Sequence, residues 1–442
     1  MRKILAIWVT KILILVGKII GKRSSSTPGS FALKICPNIL EILASQVKGN
    51  IFAVCGTNGK TTTNNLLNSI LLASGKKVVC NNVGANMLPG VVTAFVEKCS
   101  LFGNFDVDYA CLEVDEISTI RVFEHLEPDF VVVTNLFRDQ MDRYGAVEST
   151  MAFMKQGLDK CKNTKLVLNG DDPLLVTFGK NSGKECIYYG VGEDVGIAVA
   201  ESMEGKFCMA CGEELEYKFR HYSQLGNYCC PKCGFARPTV DFEARNVSLD
   251  NGIAFDVNSI HFDVKYRGFY NIYNILAAYS VLRLSGANVS DVNKILQSYK
   301  PQIGRMEEFT VRGKNVVLNL AKNPAGFNQA LSTVMCDKRK KNIVLAINDM
   351  AGDGIDVTWL WDVDFEKLAN MNSDKIYPCG IRRDDLAVRL KYAAIANVQE
   401  VNEIKTAITD ALDGDAEVLY VLVNYTALFS THDLLKDLEA EK

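Results

Sequence analysis

The fold is decided by the segment Ile51-Phe-Ala-Val-Cys-Gly-Thr-Asn-Gly-Lys-Thr-Thr-Thr63, in which an apolar strand breaks into a glycine turn and continues as a helix. Such a turn directs backbone N–H groups and the positive end of a helix at one point, which suits a phosphate. Lys60 can reach a terminal phosphate, and the Thr61 hydroxyl can hold Mg²⁺. Gly56 and Gly59 enclose two residues instead of the four of a full Walker pattern. The segment predicts a nucleotide phosphate site, with an ordinary tight turn as the alternative.

The composition is that of a globular protein. The chain has 442 residues, 48% of them hydrophobic, which is enough for a large core and for about two or three domains. A formal net charge of −3 argues against extensive nucleic-acid binding. Most of the 14 cysteines stand singly in apolar runs, as Cys55, Cys80 and Cys111 do, where they resemble small buried hydrophobes. This usage indicates a reducing cytoplasm.

Residues 1–22 are rich in Ile, Leu and Val and precede a Ser-Ser-Ser-Thr-Pro-Gly linker. Lys11 divides the apolar run and no small-residue cleavage site is evident, which argues against a signal peptide. The uncharged run 12–17 is too short to span a bilayer. Two interpretations remain. The segment is either a helix packed on the protein's own core or an amphipathic helix on a membrane surface, with Lys11 and Lys18 at the headgroups.

Apolar strands alternate with helical stretches between about residues 50 and 190, which predicts a mostly parallel sheet with helices on both faces. The predicted strands are 51–55, 77–80, 108–114, 129–134, 165–168 and 186–189. Ligands of such sheets bind at the carboxyl ends of the strands. One strand ends in Glu113, Asp115 and Glu116, and an oxygen ligand opposite the phosphate loop suits Mg²⁺. The alternative is that these acids only cap or solvate the next helix.

Four cysteines interrupt this alternation in an insertion at about 200–238. Cys208 and Cys211 are followed by Cys230 and Cys233 in the pattern C-x₂-C-x₁₈-C-x₂-C, which is typical of a zinc ribbon. Four protein thiolates leave no open position on the metal, so the predicted role of Zn²⁺ is structural. Zinc ribbons also occur in nucleic-acid-binding proteins, and the basic residues Lys218, Arg220 and His221 keep that alternative open.

The short loop Gly-Thr-Asn-Gly-Lys-Thr at 56–61 resembles that of the Mur ligase superfamily, which includes the folylpolyglutamate synthases. These enzymes use ATP to convert a carboxylate into an acyl phosphate, which an amine attacks. The resemblance implies Mg²⁺ binding by Thr61 and Glu113. It implies ATP binding by Gly56, Thr57, Asn58, Gly59, Lys60, Thr61 and Thr62.

Two further segments resemble Mur ligase motifs within the same domain. Residues 134–142 resemble the motif Thr-Asn-x-x-x-Asp-His-Leu-Asp, but Gln140 replaces a histidine that helps to bind a second metal, so the number of Mg²⁺ ions stays open. Lys155 lies near the position of a carbamylated lysine in those ligases, with a plain surface lysine as the alternative. Residues 268–278 resemble the pattern Gly-x-His-Asn-x-x-Asn-x-x-Ala-Ala, which implies that Asn271 lies near the adenine.

Gly304-Arg305 resembles the junction between the middle and C-terminal domains of Mur ligases, where the arginine reaches the ATP phosphates. An interdomain salt bridge is the alternative. The predicted α/β architecture is a Mur ligase-like P-loop domain with an inserted Cys₄ zinc ribbon, followed by a smaller Rossmann-like C-terminal domain. The predicted boundaries are 1–30 for the amphipathic segment and linker, 31–304 for the ATP-binding domain with its ribbon at 200–238, and 305–442 for the C-terminal domain. In the last, strands are predicted at 316–320, 342–347 and 417–423.

The motifs together resemble one branch of the superfamily, the ligase subunits of the lipid II isoglutaminyl synthases of Gram-positive bacteria. Only about 50 residues precede Gly56, so we expect no UDP-binding domain of the usual Mur type, and folylpolyglutamate synthases lack a four-cysteine ribbon. The resemblance implies that ATP activates the α-carboxylate of D-glutamate in the lipid II stem peptide and that ammonia converts it to D-isoglutamine. It implies catalytic roles for Lys60, Glu113 and Arg305.

The resemblance also implies a heterodimer with a glutaminase, GatD, because nothing in this chain resembles a glutaminase. Asp349 would be the acid that the C-terminal domain contributes to the partner's Cys and His, with Asp356 as the second choice. We expect a cytoplasmic protein, with the inner face of the membrane as the alternative location, and no nucleic-acid partner. One alternative is a folylpolyglutamate synthase-like or other Mur-type ligase that joins an amino acid to a carboxylate substrate. The other is a zinc-ribbon nucleic-acid-binding protein.

Overall fold

The structure is a computed structural model that describes residues 1–20, 25–81, 85–138, 146–197, 205–250, 252–289, 291–299, 303–350, 352–370 and 373–441. It contains a nine-stranded sheet, a five-stranded sheet and a two-stranded hairpin. The boundary predicted at residues 304 and 305 falls between the elements of the two larger sheets.

The strands of the first part are β1 Ile51–Cys55, β2 Val78–Cys80, β3 Tyr109–Glu113, β4 Phe130–Val133, β5 Lys165–Asn169, β6 Cys186–Val191, β7 Glu216–Tyr222, β8 Leu225–Cys229, β9 Phe242–Ser248, β10 Ile253–Val257 and β11 Ile260–Val264. Its helices are α1 Arg2–Ile19, α2 Thr27–Ile35, α3 Ile39–Ala44, α4 Lys60–Ala73, α5 Leu88–Lys98, α6 Thr119–Val122, α7 Val147–Leu158, α8 Pro173–Ser182, α9 Tyr270–Leu284 and α10 Val292–Ser298. All six predicted strands of this part are confirmed, each to within about two residues.

Strand β1 lies in the interior of the nine-stranded sheet, whose order is β11-β10-β9-β6-β5-β4-β1-β3-β2. Strands β1 to β6 and β9 pair in parallel, and β10 and β11 extend the sheet antiparallel. Ile51, Ala53 and Cys55 pack into the core that contains α5 and α7, and Phe52 and Val54 pack into the core that contains α4 and α9. A central parallel strand buried on both faces explains the unbroken apolar run before the loop.

Helix α1 packs one face on the body of the protein. Ala6, Ile7, Thr10 and Gly17 are buried, and the helix contacts α2 and α5. Packing on the protein's own core is therefore confirmed for this face of α1. Within the described residues, no helix is long and apolar enough to cross a membrane.

The second sheet has the order β12-β13-β16-β14-β15, with an antiparallel β12 and parallel pairs elsewhere. Its strands are β12 Glu307–Val311, β13 Lys314–Leu320, β14 Lys341–Ala346, β15 Ser373–Cys379 and β16 Val418–Val423. Its helices are α11 Pro324–Cys336, the 3₁₀ helices Thr358–Asp362 and Phe365–Asn370, α12 Arg383–Tyr392, α13 Ile404–Leu412 and α14 Tyr425–Ala440. The predicted α/β class is confirmed for both sheets, and the three predicted strands correspond to β13, β14 and β16.

A buried polar cluster around Asp171 attaches the β7–β8 hairpin to the nine-stranded sheet. Asp171 follows β5 and accepts hydrogen bonds from Arg237 Nε at 2.6 Å and from the Tyr273 hydroxyl at 2.7 Å. His221 Nδ1, on β7, lies 2.9 Å from the same Tyr273 hydroxyl. Because His221 is buried in this cluster, it is not part of a basic surface that could meet a nucleic acid.

The Asp171 cluster leads to a prediction for stability. Arg237→Ala leaves the buried Asp171 carboxylate without its charge partner, so we expect the free energy of unfolding to fall by about 3 kcal/mol. Arg245→Ala is the matched control, because Arg245 is exposed and also pairs with Glu243; its expected cost is about 0–1 kcal/mol. Urea unfolding of both variants measures the difference. Equal losses of unfolding free energy in the two variants would show that the buried Arg237–Asp171 pair contributes no more to stability than the exposed Arg245–Glu243 pair.

Candidate functional site

Two glycines allow the loop between β1 and α4 to turn tightly and to lie close to α9 and to the segment after β4. Gly56 and Gly59 have φ angles of 112° and 87°, in the left-handed region that favours glycine. A Cβ atom at Gly59 would lie 2.3 Å from Asn274 Oδ1 on α9, and one at Gly56 would lie 2.4 Å from Thr134 Oγ1 after β4. Both positions therefore require glycine for backbone conformation and for close approach.

Polar residues after β4 fix the middle of the loop. The backbone N–H groups of Thr57 and Asn58 donate to the Asn135 carbonyl oxygen and to Asn135 Oδ1, each at 2.9 Å. The Thr134 hydroxyl donates to the Asn58 carbonyl oxygen at 2.6 Å. Thr57 and Asn58 line the cavity described below, but in this structure their N–H groups are held by Asn135. The N–H groups in the first turn of α4, which lack intrahelical partners, are the ones oriented to receive an anion.

The Lys60 ammonium is buried under this loop. It donates to the Gly56 carbonyl oxygen and, at 3.0 Å, to Glu116 Oε1, which also accepts from the Gly56 N–H at 2.8 Å. Burial disfavours the charged lysine, but the carboxylates of Glu116, Asp115 and Glu113 outweigh it and raise the pKa of Lys60. Lys60 is therefore positively charged at neutral pH.

Glu113 ends β3 with a carboxylate oxygen that fits a metal ion. Its backbone is held by Asn81, which accepts from the Glu113 N–H at 2.8 Å, and its Oε1 accepts from Asn86 at 3.3 Å. Its Oε2 is buried without a hydrogen-bond partner in the described part of the chain. An orphaned buried carboxylate oxygen is costly unless a ligand completes it. Glu113 and Thr61 both line the cavity described below, and carboxylate and hydroxyl oxygens are the ligands that Mg²⁺ prefers.

The loop opens into a cavity of about 390 Å³, within the usual range for small-molecule sites. The nine-stranded part contributes residues 57–62, Asn86, Glu113, Asp115, Glu116, Asn135, Tyr222, Tyr270 and Asn274 to its lining. The chain from residue 305 onward contributes Arg305, Asn319, Lys322, Gln329 and Tyr425, among others. The cavity thus lies between the two α/β units, and it contains the predicted residues Lys60, Thr61, Thr62, Glu113 and Arg305.

One amide pair joins the two units at the phosphate loop. Asn58 Nδ2 lies 3.3 Å from Asn323 Oδ1, and Asn323 Nδ2 lies 3.3 Å from Asn58 Oδ1. Asn323 also caps α11, where its Oδ1 accepts from the Gly326 N–H at 2.8 Å. The start of α11 is therefore coupled to the loop that would hold the nucleotide.

Five predicted residues do not line the cavity as the structure describes it. Gly56 precedes the lining residues of the loop, and its N–H donates to Glu116 at 2.8 Å. Asn271 lies behind Asn274 and accepts a hydrogen bond from it at 3.0 Å. Lys155 forms an exposed pair with Asp159 at 2.8 Å. Asp349 Oδ2 accepts from Arg382 Nε at 2.9 Å and Nη2 at 2.6 Å, and Asp356 accepts from the Thr358 N–H at 2.8 Å. The motif residues Asp139, Gln140, Asp142 and Arg143 lie outside the described residues.

The four predicted zinc ligands converge at the open end of the β7–β8 hairpin. The sulfur atoms of Cys208, Cys211, Cys230 and Cys233 all lie within 4.8 Å of one another. The Cys208–Cys233 and Cys211–Cys230 sulfur pairs are 3.6 and 3.5 Å apart. Tetrahedral coordination at about 2.3 Å from each sulfur gives sulfur separations of about 3.8 Å, so this geometry fits Zn²⁺.

The other end of the hairpin reaches the cavity that the loop at residues 57–62 lines. Tyr222, the last residue of β7, lines the cavity and packs against Phe137 with ring centroids 5.7 Å apart. Gln224 is buried and donates to the Leu136 carbonyl oxygen at 2.7 Å. The ribbon therefore supplies part of the cavity wall, a role that the cysteine spacing alone does not predict.

Sequence reasoning named Glu116 only as one of a run of acids, and it assigned no role at the cavity to Asn323 or Tyr222. Glu116 lies in the acidic run after β3, so the sequence indicated an acid near the loop. It did not indicate that this acid would pair with Lys60. Asn323 precedes Pro324, which is typical of a helix cap, yet its contact with Asn58 spans 265 residues. Tyr222 carries no sequence signal for a cavity position.

The chain matches known families along most of its length. Residues 54–282 match the Mur ligase middle domain, and residues 320–428 match the family described as MurT ligase C-terminal. It is 37% identical over 396 residues to the lipid II isoglutaminyl synthase (glutamine-hydrolyzing) subunit MurT of Staphylococcus aureus, covering 89% of each chain. It is 33% identical to the corresponding Streptococcus pneumoniae subunit, covering 93% of this chain and 92% of the relative.

Solved structures show the same fold at lower identity. The pseudomurein peptide ligase type C of Methanothermus fervidus superposes with a TM-score of 0.72 at 22% identity, covering 90% of this chain and 80% of that one. The predicted Mur ligase-like fold is thereby confirmed.

The glycine geometry generates a prediction for nucleotide affinity. Gly59→Ala drives a Cβ into Asn274, so we expect it to displace the loop and weaken ATP binding by about tenfold or more, as measured by calorimetric titration. Gly75→Ala is the matched control: its φ of 75° gives similar backbone strain, but no atom lies within 4 Å of the added Cβ. The control should lose about 1 kcal/mol of stability and keep its ATP affinity. Equal affinities of the two variants would contradict the close-approach argument.

Proposed function

This chain belongs to the MurT family of the Mur ligase superfamily, and on that premise we propose that it activates the α-carboxylate of D-glutamate in lipid II and amidates it. Family membership makes the chain an ATP-dependent amide ligase of peptidoglycan synthesis. The identity of the carboxylate, the acyl phosphate and the source of nitrogen are our proposal. The observation that carries it is the cavity that Lys60, Glu113 and Arg305 line together.

The proposed reaction has two steps. An oxygen of the D-glutamate α-carboxylate attacks the γ-phosphorus of ATP, the bond from that phosphorus to the bridging oxygen breaks, and ADP leaves. Ammonia then attacks the carbonyl carbon of the acyl phosphate, and the bond from this carbon to the phosphate oxygen breaks. After the loss of one proton, the products are the primary amide of D-isoglutamine and inorganic phosphate.

Phosphoryl transfer of this kind depends mainly on positioning and on fixed charge. Lys60 is a preformed cation under the loop, and its present acceptor, Glu116, occupies the place where a phosphate oxygen could accept from it. Arg305 adds a second cation from the other side of the domain boundary. Thr61 and Glu113 would hold Mg²⁺, which neutralises charge on the ATP phosphates when it is bound.

We propose that the nitrogen comes from a partner glutaminase, GatD, in a heterodimer. Asp349 follows β14, lies outside the ATP cavity, and is held by Arg382 through a single carboxylate oxygen, Oδ2. Its other oxygen is therefore the one suited to orient a histidine of a partner. Met350 and Ile381 beside it are exposed apolar residues, which suits a protein interface. Asp356 is the weaker choice, because hydrogen bonds from Thr358 occupy it and hold its pKa below the ordinary value.

The two other function classes receive less support. A stand-alone folylpolyglutamate synthase-like ligase is disfavoured because the C-terminal residues 320–428 match the MurT family. A nucleic-acid-binding ribbon is disfavoured because His221 is buried and Tyr222 faces the cavity.

The proposal predicts how turnover depends on the nitrogen source. Phosphate release and mass spectrometry of lipid II should reveal amidation by this chain with ammonium, ATP and Mg²⁺. With glutamine, turnover should require co-expressed glutaminase. In the complex, Asp349→Asn should lower glutamine-dependent turnover by about a hundredfold and leave ammonium-dependent turnover unchanged, because the ATP cavity is intact.

Asp356→Asn is the comparison for that experiment, since it changes a neighbouring carboxylate of the same domain. If Asp356→Asn abolished glutamine use and Asp349→Asn did not, the second choice would replace the first. Turnover with a free amino acid and no partner would refute the amidation proposal itself.

We also propose that the four cysteines hold one structural Zn²⁺. We expect removal of this metal to weaken ATP binding at the cavity. Cys230→Ser should abolish bound zinc and raise the KM for ATP about tenfold, because the hairpin that carries Tyr222 is loosened. Cys229→Ser is the matched control, since Cys229 is exposed and is not one of the four clustered thiols. Zinc content is measured by elemental analysis. Retention of zinc by Cys230→Ser would overturn the assignment.

A further inference from the structure

The first helix, α1, presents apolar residues on two opposite faces. One face is buried against α2 and α5, as described above. On the other face, apolar residues recur at alternating spacings of three and four, which aligns them along the helix. These residues are Leu5, Trp8, Ile12, Leu15 and Ile19, and each is between 48% and 75% exposed.

The turn after α5 extends this surface. Trp8 Nε1 donates to the Leu101 carbonyl oxygen at 2.8 Å, which joins the helix to the turn. Leu101 and Phe102 are exposed, Phe102 to 82%. We call the five helix residues together with Leu101 and Phe102 the apolar strip. Aligned exposed apolar side chains of this number are unusual on a soluble monomer and mark an interaction surface.

Most of the charges around the strip are positive, and the Glu97 carboxylate is paired with one of them. The first forty residues contain seven Lys and Arg and no Asp or Glu, although the whole chain has a formal net charge of −3. Lys11 and Lys18 each precede a strip residue and lie seven residues apart, so they share one flank of the helix. Lys11 donates to the Glu97 carbonyl oxygen at 3.0 Å, and Lys18 pairs with the Glu97 carboxylate at 3.2 Å. Arg2 is exposed near the start of the helix.

We infer that the apolar strip docks the protein on the surface of a lipid bilayer with anionic headgroups. The helix lies in the plane of the interface, with its buried face on the protein and the strip in the acyl boundary. The lysines and Arg2 lie at the level of the headgroups, where each basic residue adds attraction to anionic lipid. This inference goes beyond the proposed function, because it concerns where the protein works and does not depend on the amidation chemistry.

The charge favours a bilayer over a second copy of the chain. Two copies that meet through the strip would bring two clusters of positive charge together, which is repulsive. An anionic surface neutralises the same charges while it covers the apolar side chains. Insertion of α1 across the membrane is not supported either. One face of the helix is packed on the protein, and no helix in the described residues is long and apolar enough to cross a membrane.

Vesicle sedimentation of the full-length chain, without ATP or lipid II, tests the inference. We expect the chain to pellet with vesicles of phosphatidylcholine and phosphatidylglycerol, to pellet weakly with phosphatidylcholine alone, and to be released by salt. The variant Ile12→Ser, Leu15→Ser, Ile19→Ser removes the centre of the strip and should weaken binding by about a hundredfold. The variant Arg2→Glu, Lys18→Glu keeps the strip and should weaken binding by about tenfold or more.

A matched control changes three equally exposed apolar residues of the second domain, in the variant Ile355→Ser, Ile381→Ser, Val388→Ser. This control should bind vesicles like the wild-type chain, and circular dichroism should confirm that the helical content of all variants is unchanged. Equal binding by the strip variant and the wild-type chain would overturn the inference. So would binding that is indifferent to anionic lipid, or a concentration-dependent dimer in solution that the strip variant abolishes.

Discussion

The burial of one ammonium group, that of Lys60, is the constraint around which the nucleotide-binding part is built. A buried cation without partners costs several kcal/mol, so the fold must provide acceptors for it. It does so with the Gly56 carbonyl oxygen, which requires the left-handed turn, and with Glu116, which requires the acidic run after β3. On the proposed function, a phosphate oxygen would accept from this lysine in the place of Glu116, so the charge that stabilises the phosphate would be fixed before the nucleotide binds.

The second constraint is that both α/β units contribute residues to the wall of the cavity, so neither unit forms the site alone. In the described residues, Ala325 of α11 packs into the core that contains α4 and α9, and the polar contacts that join the units near the loop are individually modest. The Asn58–Asn323 pair contributes about 0.5–1.5 kcal/mol per hydrogen bond, and the exposed Arg138–Asp362 pair contributes about 0–1 kcal/mol. On the proposed function, a nucleotide that engages Lys60 and Arg305 together would add a further link between the units, which would tie assembly of the site to substrate binding.

The features that were predictable from the sequence are those encoded locally. The strand 51–55, the glycines of its loop and the spacing of Cys208, Cys211, Cys230 and Cys233 each occupy a short stretch with its own physical signature. Contacts between distant segments were not predictable, such as Asn58 with Asn323 or Tyr222 with Phe137. Helix α1 illustrates a third case. Twelve of its 18 residues are apolar and they lie on opposite sides of the helix, so the sequence could not tell which face would pack on α2 and α5 and which would stay exposed.

The inserted hairpin shows how a structural metal can influence a site that it does not touch. A two-stranded hairpin is marginally stable by itself, so it must be fastened at both ends. If the four thiols bind Zn²⁺, the metal holds the open end together. The end near Tyr222 is held by hydrogen bonds of His221, in the Asp171 cluster, and of Gln224. On the proposed zinc site, loss of the metal would leave only the contacts near Tyr222, and the strands could then twist about them and shift Tyr222 in the cavity wall. The proposed metal site and the shape of the cavity would thus be linked through one ribbon.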